Sequence, residues 1–214
     1  MINKIEINNL SVGYNKIPLL NNISFNVEKN TCCCIYGENG CGKTTLLKTL
    51  SAMIPPVGGS AIICGNDLKN KWKIRKLCAT VFQNNNIDFG FPILAKEAVA
   101  LGRYRINPYK ENKEDFEIIK NSMIATNVWD LRDIPYGHLS GGQRQRVNIS
   151  LALASEPEIL FLDEPGTYLD TKSRDLLIEI INKLKKNITV VMVSHYKYLT
   201  QSVGDKVICL EDYK

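Results

Sequence analysis

The segment Gly37-Glu38-Asn39-Gly40-Cys41-Gly42-Lys43-Thr44 restricts the possible folds of this chain more than any other part of the sequence. Its pattern, Gly-x-x-x-x-Gly-Lys-Ser/Thr, is that of a phosphate-binding loop. An apolar run at 31–36 precedes it and predicts a buried strand, and residues 44–53 after it have helical spacing. Because the motif requires a strand before it and a helix after it, these flanks favour a phosphate site over an ordinary glycine-rich turn.

The residue types of this loop explain how it would bind phosphate. Gly37, Gly40 and Gly42 should let the backbone approach a phosphate closely and adopt positive φ angles. Backbone N–H groups would then point inward, and the following helix would add the positive end of its dipole. Lys43 is expected to reach the β- and γ-phosphates, and the Thr44 hydroxyl to bind Mg²⁺.

Length and composition exclude several classes of protein. The 214 residues, 44% of them hydrophobic, suit one large soluble domain or a core with a small insert. No apolar run approaches the roughly 20 residues that span a bilayer, and residues 1–10 do not resemble a secretory signal. We therefore expect a cytoplasmic protein; if it works at a membrane, another chain supplies the spans. The net charge of +5 is too mild to indicate nucleic-acid binding.

The seven cysteines do not form a disulfide pattern. Cys32, Cys33 and Cys34 are consecutive on a predicted buried strand, the others are scattered, and no Cys-x-x-Cys occurs. Small buried hydrophobic side chains in a reducing compartment explain them best, and we do not expect a zinc site.

Hydrophobic periodicity predicts an α/β fold with a helical insert. The first third is β-rich, with strands at 4–10, 23–27, 60–64 and 78–82 and turn signals at Gly13, Asn15 and the Asn21-Asn22 pair. Helical spacing follows at 93–102 and 110–126. Strands at 159–162, 188–193 and 206–210 then alternate with a helix at 173–185, which indicates a parallel sheet covered on both faces. We expect residues 1–87 and 151–214 to form the core, and residues 88–150 the helical subdomain.

Two acidic residues follow the apolar strand at 159–162. Asp163 and Glu164 would lie at the carboxyl edge of the parallel sheet, where ligands bind. Asp163 is expected to hold Mg²⁺ together with Thr44, directly or through water, and Glu164 to polarise the attacking water in ATP hydrolysis. An exposed Asp-Glu turn is the alternative, and the phosphate loop upstream argues against it.

The pentapeptide Leu139-Ser140-Gly141-Gly142-Gln143 allows two interpretations. Ser140 suits an N-cap and Gln143 falls at the third helical position, as in a capping box before a helix at 143–155. Two glycines also make a helix N-terminus that a phosphate can approach closely. Composition leaves both roles open.

Together, the loop, the pentapeptide and the acidic pair resemble the motifs of ABC-family ATPase domains, in the same order and over nearly the whole chain. The resemblance implies a P-loop core of the RecA type with a mainly parallel sheet, an N-terminal antiparallel β part and a helical insert that carries the pentapeptide. It also implies ATP and Mg²⁺ as cofactors and ATP hydrolysis coupled to transport.

The resemblance further assigns individual roles. Tyr14 matches the aromatic that stacks on adenine, Gln83 the glutamine that contacts Mg²⁺ and water, and His195 the histidine that contacts the γ-phosphate. Glu164, His195 and Gln83 form the implied catalytic set, and Thr44, Gln83 and Asp163 the metal set. An exposed turn aromatic, a surface amide and a strand-capping histidine are the plain alternatives. The implied nucleotide contacts are Tyr14, Gly37, Asn39, Gly40, Cys41, Gly42, Lys43, Thr44, Thr45, Ser140, Gly142, Gln143 and Asp170.

The family's geometry implies partners. Two copies pair head-to-tail, so that Ser140 and Gly142 of one copy face the ATP held by Lys43 of the other. Membrane permease subunits and a substrate-binding protein complete the expected system, without nucleic acid. One departure is Gly166, where the family usually has threonine.

The cargo is suggested by two further segments. Residues 87–92 and 101–104 resemble zinc, manganese and iron importers, and residues 167–170 resemble iron-chelate and cobalamin importers. We expect uptake of a metal ion or metal chelate, unless these segments only pack the insert. A soluble ABC ATPase that drives iron–sulfur assembly is the alternative function. A chromosome or repair ATPase would need a long coiled coil between loop and pentapeptide, where only a small insert lies.

Overall fold

The computed structural model describes residues 2–83, 92–104 and 113–213. The strands are β1 Asn3–Tyr14, β2 Ile17–Glu28, β3 Cys32–Tyr36, β4 Gly58–Ile63, β5 Asn66–Asp67, β6 Cys78–Val81, β7 Ile159–Asp163, β8 Thr189–Ser194 and β9 Lys206–Cys209. The helices are α1 Lys43–Leu50, α2 Lys71–Leu77, α3 Ala95–Tyr104, α4 Lys113–Ala125, α5 Gly141–Ala154, α6 Thr171–Leu184 and α7 Lys197–Val203. The predicted α/β P-loop fold is confirmed. Every helix among the described residues is too short or too polar to span a bilayer.

A parallel sheet in the order β6-β7-β8-β3-β9 forms the centre. All residues of β7 and β8 are buried, and the apolar runs at 159–162 and 190–193 predict this for most of them. Side chains of β3 alternate between two hydrophobic clusters: Cys33 joins one, and Cys32 and Cys34 join the other. The seven cysteines are free thiols, and burial raises the pKa of Cys33 to about 12.

A second, antiparallel sheet has the order β2-β1-β4-β5. Asn15 and Lys16 connect β1 to β2 with φ angles of 52° and 65°, as in a two-residue type I′ hairpin. The predicted strands at 4–10 and 23–27 are too short, because two of the expected turn signals, Gly13 and the Asn21-Asn22 pair, lie inside β1 and β2. Asn9 sits where the register of β1 shifts, a bulge position. Polar residues that suggested turns therefore belong to strands.

Helices α3, α4 and α5 pack around a third hydrophobic cluster. Gly102 on α3 permits a close crossing, since a Cβ there would lie 2.2 Å from the Leu151 carbonyl oxygen of α5. Arg103 joins the three helices: its Nε donates to Asp115 Oδ1 (2.7 Å), and its Nη1 donates to the Ala154 carbonyl (2.9 Å) and to Glu156 Oε2 (2.7 Å). Helix α5 continues past residue 150 and packs on the parallel sheet as well, so the domain division there stays a prediction.

Candidate active site

The glycine-rich loop lies between β3 and α1, and its glycines serve two purposes. Gly40 and Gly42 have φ angles of 81° and 104°, as expected, and a Cβ on Gly42 would also lie 2.8 Å from Leu20 Cδ1. The expectation of a positive φ is wrong for Gly37. Glycine is needed there for space, because a Cβ would lie 2.6 Å from Cys41 Sγ.

Lys43 points back into the loop. Its Nζ donates to the carbonyl oxygens of Gly37 (2.7 Å) and Glu38 (2.8 Å) and lies 3.3 Å from Glu164 Oε1. The side chain is only 5% exposed. Because an ammonium group is a compact charge with three donors, Lys43 can exchange these oxygens for those of a phosphate without moving its backbone.

Thr44 and Asp163 meet across the loop. The Thr44 hydroxyl donates to Asp163 Oδ1 at 3.0 Å, and Asp163 is buried at the carboxyl end of β7. Burial raises the pKa of Asp163, while the Thr44 hydrogen bond opposes the rise and the Glu164 charge adds to it. A hydroxyl and a carboxylate are hard oxygen donors of the kind that Mg²⁺ prefers, so this pair fits the expected ion.

Glu164 is held in an uncommon backbone conformation. Its φ is 48°, and its N–H donates to the Val193 carbonyl at 3.0 Å. Its Oε2 accepts from the His195 N–H (3.3 Å) and lies 2.9 Å from His195 Nδ1. Its Oε1 is buried, makes no hydrogen bond and faces Lys43. A non-glycine residue pays about 1–2 kcal/mol for this region, so neighbouring contacts must offset that cost to keep the carboxylate here.

Gln83 reaches the loop, whereas Tyr14 lies apart from it. A cleft of about 340 Å³ is lined by Leu19, Asn39, Gly40, Gly42, Lys43, Thr44, Thr45, Gln83 and Glu164. Tyr14, at the end of β1, is 51% exposed and does not line this cleft. Sequence reasoning missed Leu19. Its signal was the adjacent pair of leucines on β2, of which Leu20 turns inward to Gly42 and Leu19 outward to the cleft.

The pentapeptide forms the predicted capping box of α5. Ser140 Oγ accepts from the Gln143 N–H (3.3 Å), and Gln143 Oε1 accepts from the Ser140 N–H (2.8 Å). Gly142 packs tightly, because a Cβ there would lie 2.7 Å from Ser173 Oγ, whereas a Cβ on Gly141 would meet open space. These residues do not line the cleft around Lys43.

Asp170 caps the next helix. Its Oδ1 accepts from the Ser173 N–H at 2.7 Å at the start of α6, and this hydrogen bonding holds the pKa of Asp170 below its usual value. Asp170 therefore has a structural role as the N-cap of α6, as Ser140 has for α5. Its predicted contact with nucleotide stays a prediction.

Comparison with known proteins identifies the family. The sequence profile of the ABC transporter family matches residues 20–167, more than half of the chain. This chain belongs to the ABC transporter family. It is an ATP-binding subunit of that family, and the predicted ATPase activity is confirmed with it.

Three relatives of this ABC protein are similar over nearly all of its length. The ATP-binding protein of the high-affinity zinc uptake system of Bacillus subtilis is 35% identical, covering 98% of this chain and 92% of the relative. The manganese transport ATP-binding protein of the same species is 33% identical, over 92% and 78%. The energy-coupling factor transporter ATP-binding protein of Clostridioides difficile is 34% identical, over 100% and 79%.

Two solved structures share the fold. An ABC transporter assigned to the metal-chelate type, in an inward-facing conformation, superposes with a TM-score of 0.84 at 25% identity, covering 98% of this chain and 80% of that one. A dimeric ATP-binding cassette bound to ADP and phosphate superposes with a TM-score of 0.80 at 26% identity, over 96% and 94%.

Proposed function

We propose that this ABC ATPase energises the import of a metal ion or metal chelate. The observation that carries the proposal is the 35% identity to a zinc-uptake ATPase over 98% of the chain, which the manganese relative supports. Three segments suggested a metal cargo. Residues 101–104 and 167–170 are described, whereas residues 87–91 of the segment 87–92 lie outside the described residues. The energy-coupling factor relative, at 34% identity, makes that class of transporter the second candidate. The iron–sulfur assembly alternative is not favoured.

Each residue of the cleft has a distinct task in the proposed hydrolysis. Backbone N–H groups of the loop and the Lys43 ammonium would bind the β- and γ-phosphates. Thr44 and Asp163, with Gln83 beside them, would hold Mg²⁺, which when bound would withdraw electron density from the phosphate oxygens. The Glu164 carboxylate would orient and polarise the attacking water, and His195 would hold that carboxylate through its Oε2.

A second copy would complete the site. The capping box and Gly142 lie outside the cleft of their own chain, and the free N-terminus of α5 suits a phosphate presented from outside. We therefore assign Ser140, Gly142 and Gln143 to the nucleotide bound by a second copy. Tyr14, exposed on the antiparallel sheet, would stack on the adenine.

A permease subunit would dock on the helical insert, at the cytoplasmic face of the membrane. The described part of the insert forms a groove lined by four apolar and four charged side chains, namely Lys96, Glu97, Ala100, Asp115, Phe116, Ile119, Trp129 and Arg132. Phe116 is 56% exposed and packs edge-on against Trp129. Such a groove, which combines exposed aromatic surface with charged side chains, suits a short segment of a permease.

Reconstitution tests the function. The chain would be purified with the permease that it retains, placed in vesicles, and supplied with ATP and radioactive zinc or manganese. ATP-dependent movement of either metal, abolished by Glu164→Gln, is expected. A complex that hydrolyses ATP but moves neither metal, free or chelated, would refute metal import, and retention of a soluble scaffold instead of a permease would restore the assembly alternative.

A further inference from the structure

The net charge of the chain is concentrated in one short helix and the turn before it. Residues 69–76 contain five basic residues and no acidic one, namely Lys69, Lys71, Lys73, Arg75 and Lys76. The whole chain has 27 basic and 22 acidic side chains. Outside this stretch, 22 basic residues therefore balance 22 acidic ones, and the entire formal charge of +5 belongs to the stretch.

Helix α2 presents these charges outward around an exposed tryptophan. Ile74 is fully buried and fixes the inner face of the helix, while Trp72 is 79% exposed. Lys69, Lys71, Lys73 and Lys76 are exposed. Among the residues that the structure describes, none of these four lysine side chains takes part in an ion pair. The charges are thus available to a partner.

Arg75 is the exception, and it holds the helix in place. Its Nε and Nη2 both donate to the Ala52 carbonyl, at 3.2 and 2.9 Å, just after the end of α1. The arginine is therefore used inside the molecule, and the outward charges are all lysines. Lysine is a compact charge on a flexible stem, without the planar fork with which arginine pairs carboxylates.

This composition favours lipid phosphates over an acidic protein segment. Lysines that can spread over many phosphates gain from the negative surface potential of the cytoplasmic leaflet. Tryptophan is enriched at membrane–water interfaces, where its ring is apolar and its N–H finds a polar partner. Helix α2 combines the two features of a helix that binds at a membrane surface: basic side chains, and an exposed aromatic ring, that of Trp72.

Helix α2 lies at the edge of the parallel sheet. The helix leads directly into β6, an edge strand of the parallel sheet that also contacts α5 of the insert. We propose that α2 contacts the membrane itself: its lysines bind anionic phospholipid headgroups, and Trp72 inserts among them. This goes beyond the proposed function, because it concerns lipid and not the permease, and it holds for any cargo.

Vesicle flotation tests the contact. Purified chain is mixed at low salt with vesicles of phosphatidylcholine containing 40% phosphatidylglycerol, or of phosphatidylcholine alone. We expect binding only to the anionic vesicles, and its loss as salt rises, because screening weakens exposed charges. The triple variant Lys71→Glu/Lys73→Glu/Lys76→Glu should bind at least about a hundredfold more weakly.

A matched control separates this patch from net charge. The variant Lys29→Glu/Lys183→Glu/Lys186→Glu reverses three exposed lysines elsewhere, so it changes the total charge equally and should bind like the wild type. Unchanged ATPase activity in both variants reports intact folding. No binding by the wild type, or equal loss in both variants, would overturn the proposal. So would an α2 variant that still binds vesicles but loses its permease in detergent, since α2 would then contact protein.

Trp72 itself gives a direct signal. The chain has two tryptophans, so Trp129→Phe leaves Trp72 as the only one. Its emission should move to shorter wavelength with anionic vesicles and stay unchanged with neutral ones. Emission that does not move while the protein is bound would exclude insertion of the indole.

Discussion

At the scale of single residues, Glu164 concentrates three constraints on one carboxylate. Its positive φ, the hydrogen bond that its Oε2 accepts from the His195 N–H and the 3.3 Å ionic contact of its Oε1 with Lys43 Nζ together fix where it points. Glu164→Gln keeps the shape but removes the charge. We expect ATP to bind about as before and turnover to fall at least about a hundredfold, measured by phosphate release and by binding of a fluorescent nucleotide. Turnover within a factor of two of wild type would remove Glu164 from the proposed role.

Replacing Lys43 should weaken nucleotide binding, whereas replacing Glu164 should slow turnover. Lys43→Ala removes the buried ammonium that faces the loop oxygens, and a hydrogen bond from a charged group contributes about 1.5–3 kcal/mol. Nucleotide affinity should therefore fall roughly 10- to 150-fold, measured by isothermal titration. Cys41→Ala, in the same loop, is the control: the buried Cys41 side chain carries no charge, and alanine keeps the backbone N–H through which this position would contact phosphate, so the variant should bind nucleotide nearly as wild type.

His195 is expected to work through Glu164. His195→Ala should lower kcat about tenfold to a hundredfold while affinity for ATP changes little, because the variant loosens the carboxylate without removing it. A shift of the pH profile of kcat relative to wild type would show that the imidazole acts on the reaction. Equal losses of affinity and kcat would contradict this assignment.

At the scale of elements, two neighbouring glycines at the α5 N-terminus test whether the packing there excludes a Cβ atom. Gly142→Ala forces a Cβ to within 2.7 Å of Ser173 Oγ, while Gly141→Ala meets open space. We expect Gly142→Ala to be destabilised by about 1–3 kcal/mol and Gly141→Ala to be close to wild type in urea unfolding. Adding Ser173→Ala should recover part of the loss. Equal destabilisation by both alanines would refute the packing seen here.

Asp205 couples three elements and gives a dependence on pH. Its carboxylate accepts from Lys185 Nζ on one oxygen and from the Cys32 N–H on the other, both at 2.8 Å. Burial alone would raise the pKa of Asp205, but these hydrogen bonds outweigh it and the pKa lies below its usual value. Since the folded pKa is the lower one, the stabilisation is complete above about pH 4 and is lost as pH falls through the folded pKa.

The corresponding variant is Asp205→Asn. It should lower the free energy of unfolding by roughly 0.5–1 kcal/mol at pH 7, because an exposed pair is screened. The difference from wild type should shrink towards zero in acid. A difference that is constant from pH 7 down to pH 3 would exclude the charge as its source.

At the scale of the whole molecule, we expect association with a second copy, because the cap of α5 does not line the nucleotide cleft of its own chain. Glu164→Gln should form an ATP-dependent dimer in gel filtration, and adding Ser140→Arg at the cap of α5 should prevent it by placing a bulky charge at the interface. Monomer in both variants, at ATP concentrations that saturate the site, would argue against a shared active site.

Features that depend on residues adjacent in sequence were predicted well, and features that depend on tertiary structure were not. The phosphate loop, the buried strands and the capping box were predictable because each depends on residues adjacent in sequence. Helices α2 and α7 were missed because they are short, with only one or two turns to show periodicity. Gly13 and the Asn21-Asn22 pair misled because an irregularity inside a strand uses the same residue types as a turn. The meeting of Lys43 with Glu164 depends on the parallel order of β3, β8 and β7, which sequence indicates but does not measure.

Helix α5 is one uninterrupted rod of 14 residues, about 21 Å long at 1.5 Å per residue. Its carboxyl end is held by the hydrogen bond from Arg103 to the Ala154 carbonyl and by packing on the sheet, and its amino end bears Ser140, Gly141 and Gly142. A rotation of about 10° at the gripped end would sweep the far tip by roughly 4 Å over such a length, more than a hydrogen bond tolerates. In the proposed dimer, a small displacement of the insert by a membrane partner would therefore be enough to make or break the contact between this helix end and the nucleotide of the second copy, without unwinding the helix in between.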